Sequence, residues 1–325
     1  MLQDTHHRIH DYLRISLTDN CNFRCTYCMP EESISLLPPK KLMQTDEIFS
    51  IAEVFTNLGV KKIRLTGGEP LVRKDFAAVV ERLSVLPVQL TLTTNGVLLD
   101  RYKTVLQNAG IRSVNISLDT LNPMKFLQIT QRDQFQKVWD NILMSLDQGI
   151  YVKLNIVLIK GFNDDEVFDF IALTKSLSVH LRFIEFMPFD KNEWHRDKVV
   201  HNQQVLEAVS RQYELFKLRD GKNDTDTKFG IFGHAGTVSF ISTLSHSFCG
   251  SCNRMRLTAD GKMKNCLFGA EEFDILGTFR KGENIVPVIE QCLLRKHKML
   301  GGQFDDYTRV DPDTLQNRSM IKIGG

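Results

Sequence analysis

The sequence predicts an α/β fold, an incomplete (βα)6 TIM-like barrel followed by a smaller C-terminal domain that carries a second group of cysteines. Strand-like and helix-like segments alternate about six times over the first 188 residues, which favours a parallel sheet with crossover helices. Polar and glycine residues follow the predicted strands, where barrel enzymes place their sites. Periodicity alone does not separate this barrel from a flat doubly wound sheet. Beyond residue 188 the alternation stops, so we predict domains at 1–188 and 189–325.

Each element follows from its own local pattern. Apolar residues that alternate with polar ones predict strands, and apolar residues repeating at three and four predict helices. Thr45 is the expected cap of the first helix, and Gly59 is its expected end. The predicted strands cover 12–17, 62–66, 88–94, 113–118, 151–158 and 180–186. The predicted helices lie near 45–58, 73–85, 100–109, 135–146, 163–174 and 202–213.

Three cysteines follow the first predicted strand directly. Cys21, Cys25 and Cys28 form a Cys-x-x-x-Cys-x-x-Cys array. Three thiolates can hold three irons of a four-iron cluster and leave the fourth iron open to an exogenous ligand. Short cysteine spacings also serve zinc, and reduced structural thiols are a third interpretation. The spacing alone leaves these alternatives open.

A second cysteine triplet lies in the C-terminal region. Cys249 and Cys252 precede a turn signal at 259–262, which predicts a hairpin that returns Cys266 to the pair. Such a layout is typical of metal sites, and zinc is the usual occupant, with His246 the nearest additional ligand. The seventh cysteine, Cys292, lies in an apolar segment and is predicted to be a buried core residue.

Composition limits the class of protein. Hydrophobic residues make up 42% and charged residues 25%, as in ordinary soluble proteins, and a net charge of +2 does not indicate general nucleic-acid binding. The N-terminus is polar and no segment approaches the roughly 20 apolar residues of a membrane span. Clustered cysteines suit a reducing compartment. We therefore expect a cytoplasmic protein that binds neither nucleic acid nor membrane.

Several motifs resemble one enzyme family. The first triplet together with Gly67-Gly68-Glu69-Pro70 is similar to the radical S-adenosylmethionine (SAM) enzymes. The second triplet followed by Arg254 and Arg256 resembles the GTP 3',8-cyclase family, which begins molybdenum cofactor biosynthesis. Further motifs in that family's order lie at 13–16, 117–123, 152–155, 182–188 and 323–325. The resemblance covers essentially the whole chain.

The resemblance implies two [4Fe-4S] clusters, SAM as cofactor and GTP as substrate. Cys21, Cys25 and Cys28 would hold the SAM cluster, and Cys249, Cys252 and Cys266 would hold the second. The residues implied in SAM binding are Tyr27, Gly68, Ser117 and Met187. Those implied in GTP binding are Arg14, Arg64, Thr93, Lys153, Arg254, Met255 and Arg256.

The implied reaction begins with reductive cleavage of SAM and hydrogen abstraction from the ribose of GTP, after which the ribose carbon bonds to carbon 8 of guanine. Arg254, Arg256 and the terminal Gly324 and Gly325 are implied in catalysis, with the tail reaching into the active site. An external one-electron donor and transfer of the product to the next pathway enzyme are also implied, and a homodimer is one option for the assembly. Two alternatives remain from the sequence: a radical SAM peptide or cofactor maturase, and a non-catalytic iron–sulfur electron-transfer protein.

Overall fold

Six parallel strands form the wall of an open barrel in the computed structural model, which describes residues 1–29, 36–190, 192–311 and 314–324. The strands are β1 (Tyr12–Ser16), β2 (Lys62–Thr66), β3 (Gln89–Thr94), β4 (Ser113–Ser117), β5 (Tyr151–Leu158) and β6 (His180–Glu185). Each pairs in parallel with the next strand in the chain. In the sheet, β1 and β6 are separated by the four other strands and pair outward with later strands. The prediction of an incomplete (βα)6 barrel is therefore confirmed.

Helices cover the outside of this wall. They are α1 (Thr45–Asn57), α2 (Phe76–Ser84), α3 (Leu99–Asn108), α4 (Pro123–Thr130), α5 (Phe135–Asp147) and α6 (Val167–Leu173). Helix α1 buries Ile48, Ile51 and Phe55, whose spacing predicts that helix. Its cap is Gln44, which forms a capping box with Glu47, and not Thr45 as predicted. Helix α4 was not predicted.

The C-terminal part lengthens the same sheet at both edges. It comprises α7 (Asn202–Gln212), β7 (Leu215–Lys217), β8 (Thr227–Ile231), β9 (Thr237–Ile241), β10 (Arg254–Leu257), β11 (Lys262–Lys264), β12 (Phe273–Asp274), α8 (Ile275–Arg280), α9 (Val286–Leu294) and α10 (Met320–Ile323). Strand β9 pairs in parallel with β6, and β10 pairs in parallel with β1. Strands β10 and β11 form the predicted hairpin. The domain boundary at residue 188 stays a prediction.

The two faces of the barrel strands differ in chemistry. On β2, Ile63 and Leu65 are fully buried in the core beneath the helices. Lys62, Arg64 and Thr66 alternate with them and therefore face the barrel interior. Barrel interiors are usually filled by branched apolar side chains. The polar inner face of this barrel instead suits a charged ligand. Within the described ranges, no helix is both long and apolar enough to cross a bilayer.

A buried ionic network fixes the N-terminal loop. Asp4 Oδ2 accepts hydrogen bonds from Arg8 Nε at 2.6 Å and lies 2.9 Å from His10 Nε2. Burial and the charge of Lys296 outweigh Asp4 and lower the pKa of His10 to about 4. His10 is thus held neutral in the fold, although an unfolded histidine titrates near pH 6.5.

This network predicts a pH dependence of stability. Between pH 6.5 and about 4 the unfolded chain binds a proton at His10 that the folded chain does not. Stability is therefore lost as the pH falls through that window, by up to about 3 kcal/mol. Urea unfolding of the metal-free protein across this pH range should show that the free energy of unfolding falls less steeply with pH in His10→Asn than in the wild type. Equal pH slopes for both proteins would contradict the prediction.

Candidate active site

The first cysteine triplet lies in the loop that follows β1. Cys25 O accepts hydrogen bonds from the backbone N–H groups of Cys28 at 2.9 Å and Met29 at 2.8 Å, which forms a tight turn. The N–H groups of Arg24 and Thr26 donate to carbonyls at the end of α4 at 2.9 and 3.0 Å. Helix α4 therefore fixes the loop against the barrel rim.

The thiols of this triplet are costly to ionise without a cation. Burial raises the pKa of Cys21 to about 11 and that of Cys28 to about 12. Burial and the two neighbouring thiolates raise the pKa of Cys25 well above its usual value. A cationic iron–sulfur cluster ionises such thiols and relieves their repulsion. The donor set therefore fits a cluster bound through three thiolates.

The Gly-Gly-Glu-Pro loop after β2 is tied to the cysteine loop. Glu69 accepts hydrogen bonds from Thr94 Oγ1 at 2.7 Å, Asn95 N at 2.7 Å and Leu71 N at 3.0 Å. Burial nevertheless raises the pKa of Glu69 to about 7. Asn95 Nδ2 in turn lies 3.8 Å from Cys21 Sγ. Glu69 thus positions a residue that contacts the triplet.

Gly68 is required by close backbone contact. A Cβ atom there would lie 2.4 Å from Asn20 O and 2.8 Å from Asn20 C, directly before Cys21. We expect Gly68→Ala to push the cysteine loop outward and to lower the free energy of unfolding by about 1–3 kcal/mol. Urea unfolding of the variant and its iron content after anaerobic reconstitution measure the two effects. If both equal the wild-type values, the contact does not constrain the loop.

In the second triplet, Cys249 and Cys252 precede the β10–β11 hairpin and Cys266 follows it. Cys249 Sγ accepts a hydrogen bond from Leu300 N at 3.5 Å, and Cys252 Sγ accepts one from Lys296 Nζ at 3.6 Å. Burial raises the pKa of Cys252, but the charges of Arg254 and Lys296 outweigh it, and the pKa falls to about 6. Burial raises the pKa of Cys266, as it does for the thiols of the first triplet, so the positive environment is a feature of Cys252.

Both triplets line one cavity of about 320 Å³. This volume is in the range of small-molecule binding sites. In the part of the chain that the structure describes, no three His, Cys, Asp or Glu side chains converge as they would around a single metal ion. The predicted site residues that line the cavity are Arg14, Cys21, Cys25, Tyr27, Cys28, Gly68, Thr93, Ser117, Met187, Cys249, Cys252, Arg254, Arg256 and Cys266.

Three predicted GTP contacts lie outside this lining. Arg64 lies deeper on the inner face of β2 and donates to Thr93 Oγ1 at 3.2 Å. Burial and the charge of Arg182 lower the pKa of Lys153 to about 8, and its ammonium lies 5.3 Å from the ring centre of Tyr151. Met255 is fully buried in the core. Their roles in GTP binding stay predictions.

The barrel interior also holds functional candidates that the sequence did not single out. Arg182 lines the cavity, and its Nη1 donates to Asn155 Oδ1 at 3.2 Å while its Nε lies 3.3 Å from Asp226 Oδ2. Tyr12 OH accepts a hydrogen bond from Arg64 Nε at 2.5 Å. Arg182 lies in the 182–188 motif of the resembled family, but no role was predicted for it, and the sequence signal for Tyr12 was its alternation with buried apolar residues on β1.

The interior cations create a strong positive field. Burial raises the pKa of Tyr12, but the charges of Arg64, Arg14 and Lys62 outweigh it and lower the pKa to about 7. Burial, and then the charge of Arg256, lowers the pKa of Arg14 well below its ordinary value. Cations this close and this buried favour a polyanionic ligand.

The C-terminal tail enters the same region. Met320 and Ile321 line the cavity, and Gly324 O accepts a hydrogen bond from Arg256 Nη1 at 2.6 Å. Arg318 fastens the tail to the hairpin through Asp260, with two contacts of 2.9 and 3.1 Å. The predicted role of Gly325 lies outside the described residues.

Comparison with known proteins agrees with this geometry. Residues 15–174 match the radical SAM superfamily, and residues 179–300 match the family described as Molybdenum Cofactor Synthesis C. GTP 3',8-cyclase of Listeria welshimeri is 39% identical over 100% of this chain and 99% of its own length. The chain belongs to the GTP 3',8-cyclase family. The mitochondrial GTP 3',8-cyclase of Arabidopsis thaliana is 42% identical over 100% of this chain and 84% of its own length.

Some relatives of this cyclase-family chain are longer. Molybdenum cofactor biosynthesis protein 1 of Bos taurus is 45% identical over 99% of this chain but over only 51% of its own length. The chain thus spans about half the length of the first curated relatives it matches. Membership of the radical SAM superfamily implies SAM and an iron–sulfur cluster as cofactors, and the first triplet fits that cluster.

Solved structures share the fold of this cyclase-family chain. SuiB of Streptococcus suis bound to S-adenosylmethionine is 15% identical with a TM-score of 0.54, over 80% of this chain and 60% of its own. SuiB bound to the precursor peptide SuiA is 14% identical with a TM-score of 0.58, over 98% of this chain and 71% of its own. At this identity the likeness shows the fold alone.

Proposed function

We propose that this chain catalyses the radical SAM cyclisation of GTP to 3',8-cyclo-7,8-dihydroguanosine 5'-triphosphate, the first step of molybdenum cofactor biosynthesis. One observation carries the proposal: two separate cysteine triplets line a single cavity whose barrel end is lined by buried arginines. The polyanion favoured by these cations and the names of the relatives support the same substrate.

Each triplet has its own role in this proposal. Cys21, Cys25 and Cys28 hold the cluster that, when bound, supplies the electron for reductive cleavage of SAM. Tyr27 is held in place beside it, because its hydroxyl donates to Asp119 Oδ2 at 2.7 Å. Gly68, Ser117 and Met187 complete the proposed SAM pocket. Cys249, Cys252 and Cys266 would hold a second [4Fe-4S] cluster, which would bind the guanine base.

Cationic side chains position the triphosphate. Arg14, Arg64, Lys153 and Arg182 project from four different strands toward the barrel interior, so several phosphate oxygens are bound at once. Arg254, whose guanidinium lies 4.7 Å from the ring centre of Phe248, and Arg256 border the second triplet. With cations binding the triphosphate and the second triplet at the guanine end, the ribose would be held between them, near the proposed SAM pocket.

The reaction also needs components outside this chain. An external one-electron donor reduces the first cluster, and the product passes to the next enzyme of the pathway. We propose that the protein works in the cytoplasm.

Anaerobic turnover tests the proposed function. Reconstituted protein is mixed with SAM, dithionite and either GTP, ATP, a peptide or no substrate, and products are resolved by chromatography and mass spectrometry. We expect 5'-deoxyadenosine and the cyclised nucleotide with GTP only. Equal 5'-deoxyadenosine with and without GTP, or none with GTP, would overturn the proposal. Turnover of a peptide in place of GTP would support a maturase, and iron reduction without SAM cleavage would support an electron-transfer protein.

A further inference from the structure

Lys296 is a buried cation that lies between the two segments carrying the second triplet. It follows α9 and is only 4% exposed. Its Nζ lies 3.6 Å from Cys252 Sγ, 3.2 Å from Arg254 O and 2.5 Å from Asn265 O, the residue before Cys266. One ammonium thus bridges both sides of the hairpin at the level of the cysteines.

The charge of Lys296 has no carboxylate partner in the part of the chain that the structure describes. Among the described residues, no Asp or Glu oxygen lies within 4.0 Å of its Nζ, and the carboxylate of Asp4 contacts Arg8 and His10 instead. A buried charge is costly unless it is paired and hydrogen-bonded. Two of its three contacts are neutral carbonyls. Cys252 Sγ is therefore the contact that brings negative charge to the ammonium.

The N-terminal loop holds this arrangement in place. Arg8 Nη1 donates to Cys249 O at 2.8 Å and to Lys298 O at 2.9 Å, and Arg8 Nη2 donates to His297 O at 2.9 Å. His6 Nε2 lies 3.1 Å from Lys296 O. The backbone around Lys296 is therefore tied to the loop of Cys249, so the ammonium has a fixed position relative to the triplet.

We propose that Lys296 is a positioning residue that supplies a fixed positive charge and an N–H···S hydrogen bond to the second cluster, and thereby raises its reduction potential. The inference rests on the second cluster of the proposed function. Net charge and hydrogen bonds to sulfur are the means by which a protein sets the potential of such a cluster. A positive charge next to Cys252 stabilises the reduced cluster, which carries one more electron.

Substitution of Lys296 tests the proposal in the full-length, reconstituted enzyme. Lys296→Met removes the charge, and Lys296→Arg retains it. Lys298→Met removes an exposed lysine two residues away as the matched control. Titration with dithionite, followed by electron paramagnetic resonance, gives the midpoint potential of each cluster in one sample. The midpoint potential of the second cluster should fall in Lys296→Met but not in Lys296→Arg or Lys298→Met. The midpoint potential of the first cluster should stay unchanged in all three variants and serves as an internal reference.

Iron content separates the remaining outcomes. Unchanged potentials in Lys296→Met would overturn the proposal. Loss of half of the iron would mean loss of one cluster. If Lys296→Met shows this loss and Lys296→Arg does not, the positive charge has a role at the cluster. If both variants show it, the proposed role of the charge is wrong. Wild-type enzyme with a single cluster would refute the second cluster itself. That result can be told apart from an unchanged potential in the Lys296 variants. The potentials are measured without GTP, so failure of GTP turnover would count against the proposed function and not against the role of Lys296.

Discussion

Replacing Cys28 by serine is expected to abolish SAM binding and cyclisation, whereas replacing Cys252 is expected to abolish cyclisation but to leave SAM binding intact. Both thiols line one cavity, but burial raises the pKa of Cys28 to about 12, whereas the charges of Arg254 and Lys296 outweigh burial and lower the pKa of Cys252 to about 6. Cys28 is held beside Cys25 and next to the proposed SAM pocket, and Cys252 lies beside Arg254 and Lys296. Each substitution should lower the kcat/KM for GTP by at least roughly 10³-fold, because the groups act as a unit.

Equilibrium dialysis with SAM and with GTP distinguishes the two variants. Cys28→Ser should lose SAM and keep GTP, and Cys252→Ser should show the reverse. Cys292→Ser serves as the control, because this cysteine is buried in the core and lies in neither triplet. It should keep its full iron content and both ligands. Loss of the same ligand in both triplet variants would contradict the assignment of separate roles.

Local patterns in the sequence were sufficient to predict the strands of the barrel wall. The predicted strands at 62–66 and 151–158 coincide with β2 and β5, since apolar residues alternate there with polar ones. The pairing of β10 with β1 was not predictable, because Arg14 and Arg256 are register partners from opposite ends of the chain. No local signal specifies such a long-range contact. This pairing is what brings the second triplet to the barrel mouth.

The same limit applies to the site. Cysteine spacing indicated both triplets, whereas Gly68 was implied only in SAM binding and its close contact with Asn20 was not predicted. No role was predicted for Arg182, although it lies in the 182–188 motif, or for Lys296, because a single charge on an alternating strand, or just after a helix, usually faces water. Arg182 faces inward because β6 is part of the curved barrel wall, and Lys296 faces inward because it packs against the β10–β11 hairpin. The sequence therefore indicated the cysteines of the site better than the inward-facing cations, Arg182 and Lys296.

The Gly-Gly tail should tolerate no side chain at Gly324. This residue has φ +85°, and a Cβ atom there would lie 2.8 Å from both Ser16 Cβ and Thr66 Oγ1. Gly324→Ala is expected to displace the tail and break the hydrogen bond from Arg256, which also borders the cavity. Since that bond joins the tail to the strand between Cys252 and Cys266, we expect kcat to fall by at least about 10²-fold with smaller effects on KM.

Gly282→Ala is the matched control for Gly324→Ala. Gly282 has a similar φ of +74°, but a Cβ atom there meets no described residue within 4 Å. Both variants carry the strain of a left-handed backbone, and only Gly324→Ala adds the collision inside the site. Steady-state kinetics with GTP, together with iron content, separate the two effects. Equal activities of the two alanine variants would mean that Arg256 and Gly324 do not act together, whereas loss confined to Gly324→Ala assigns the tail a role in turnover.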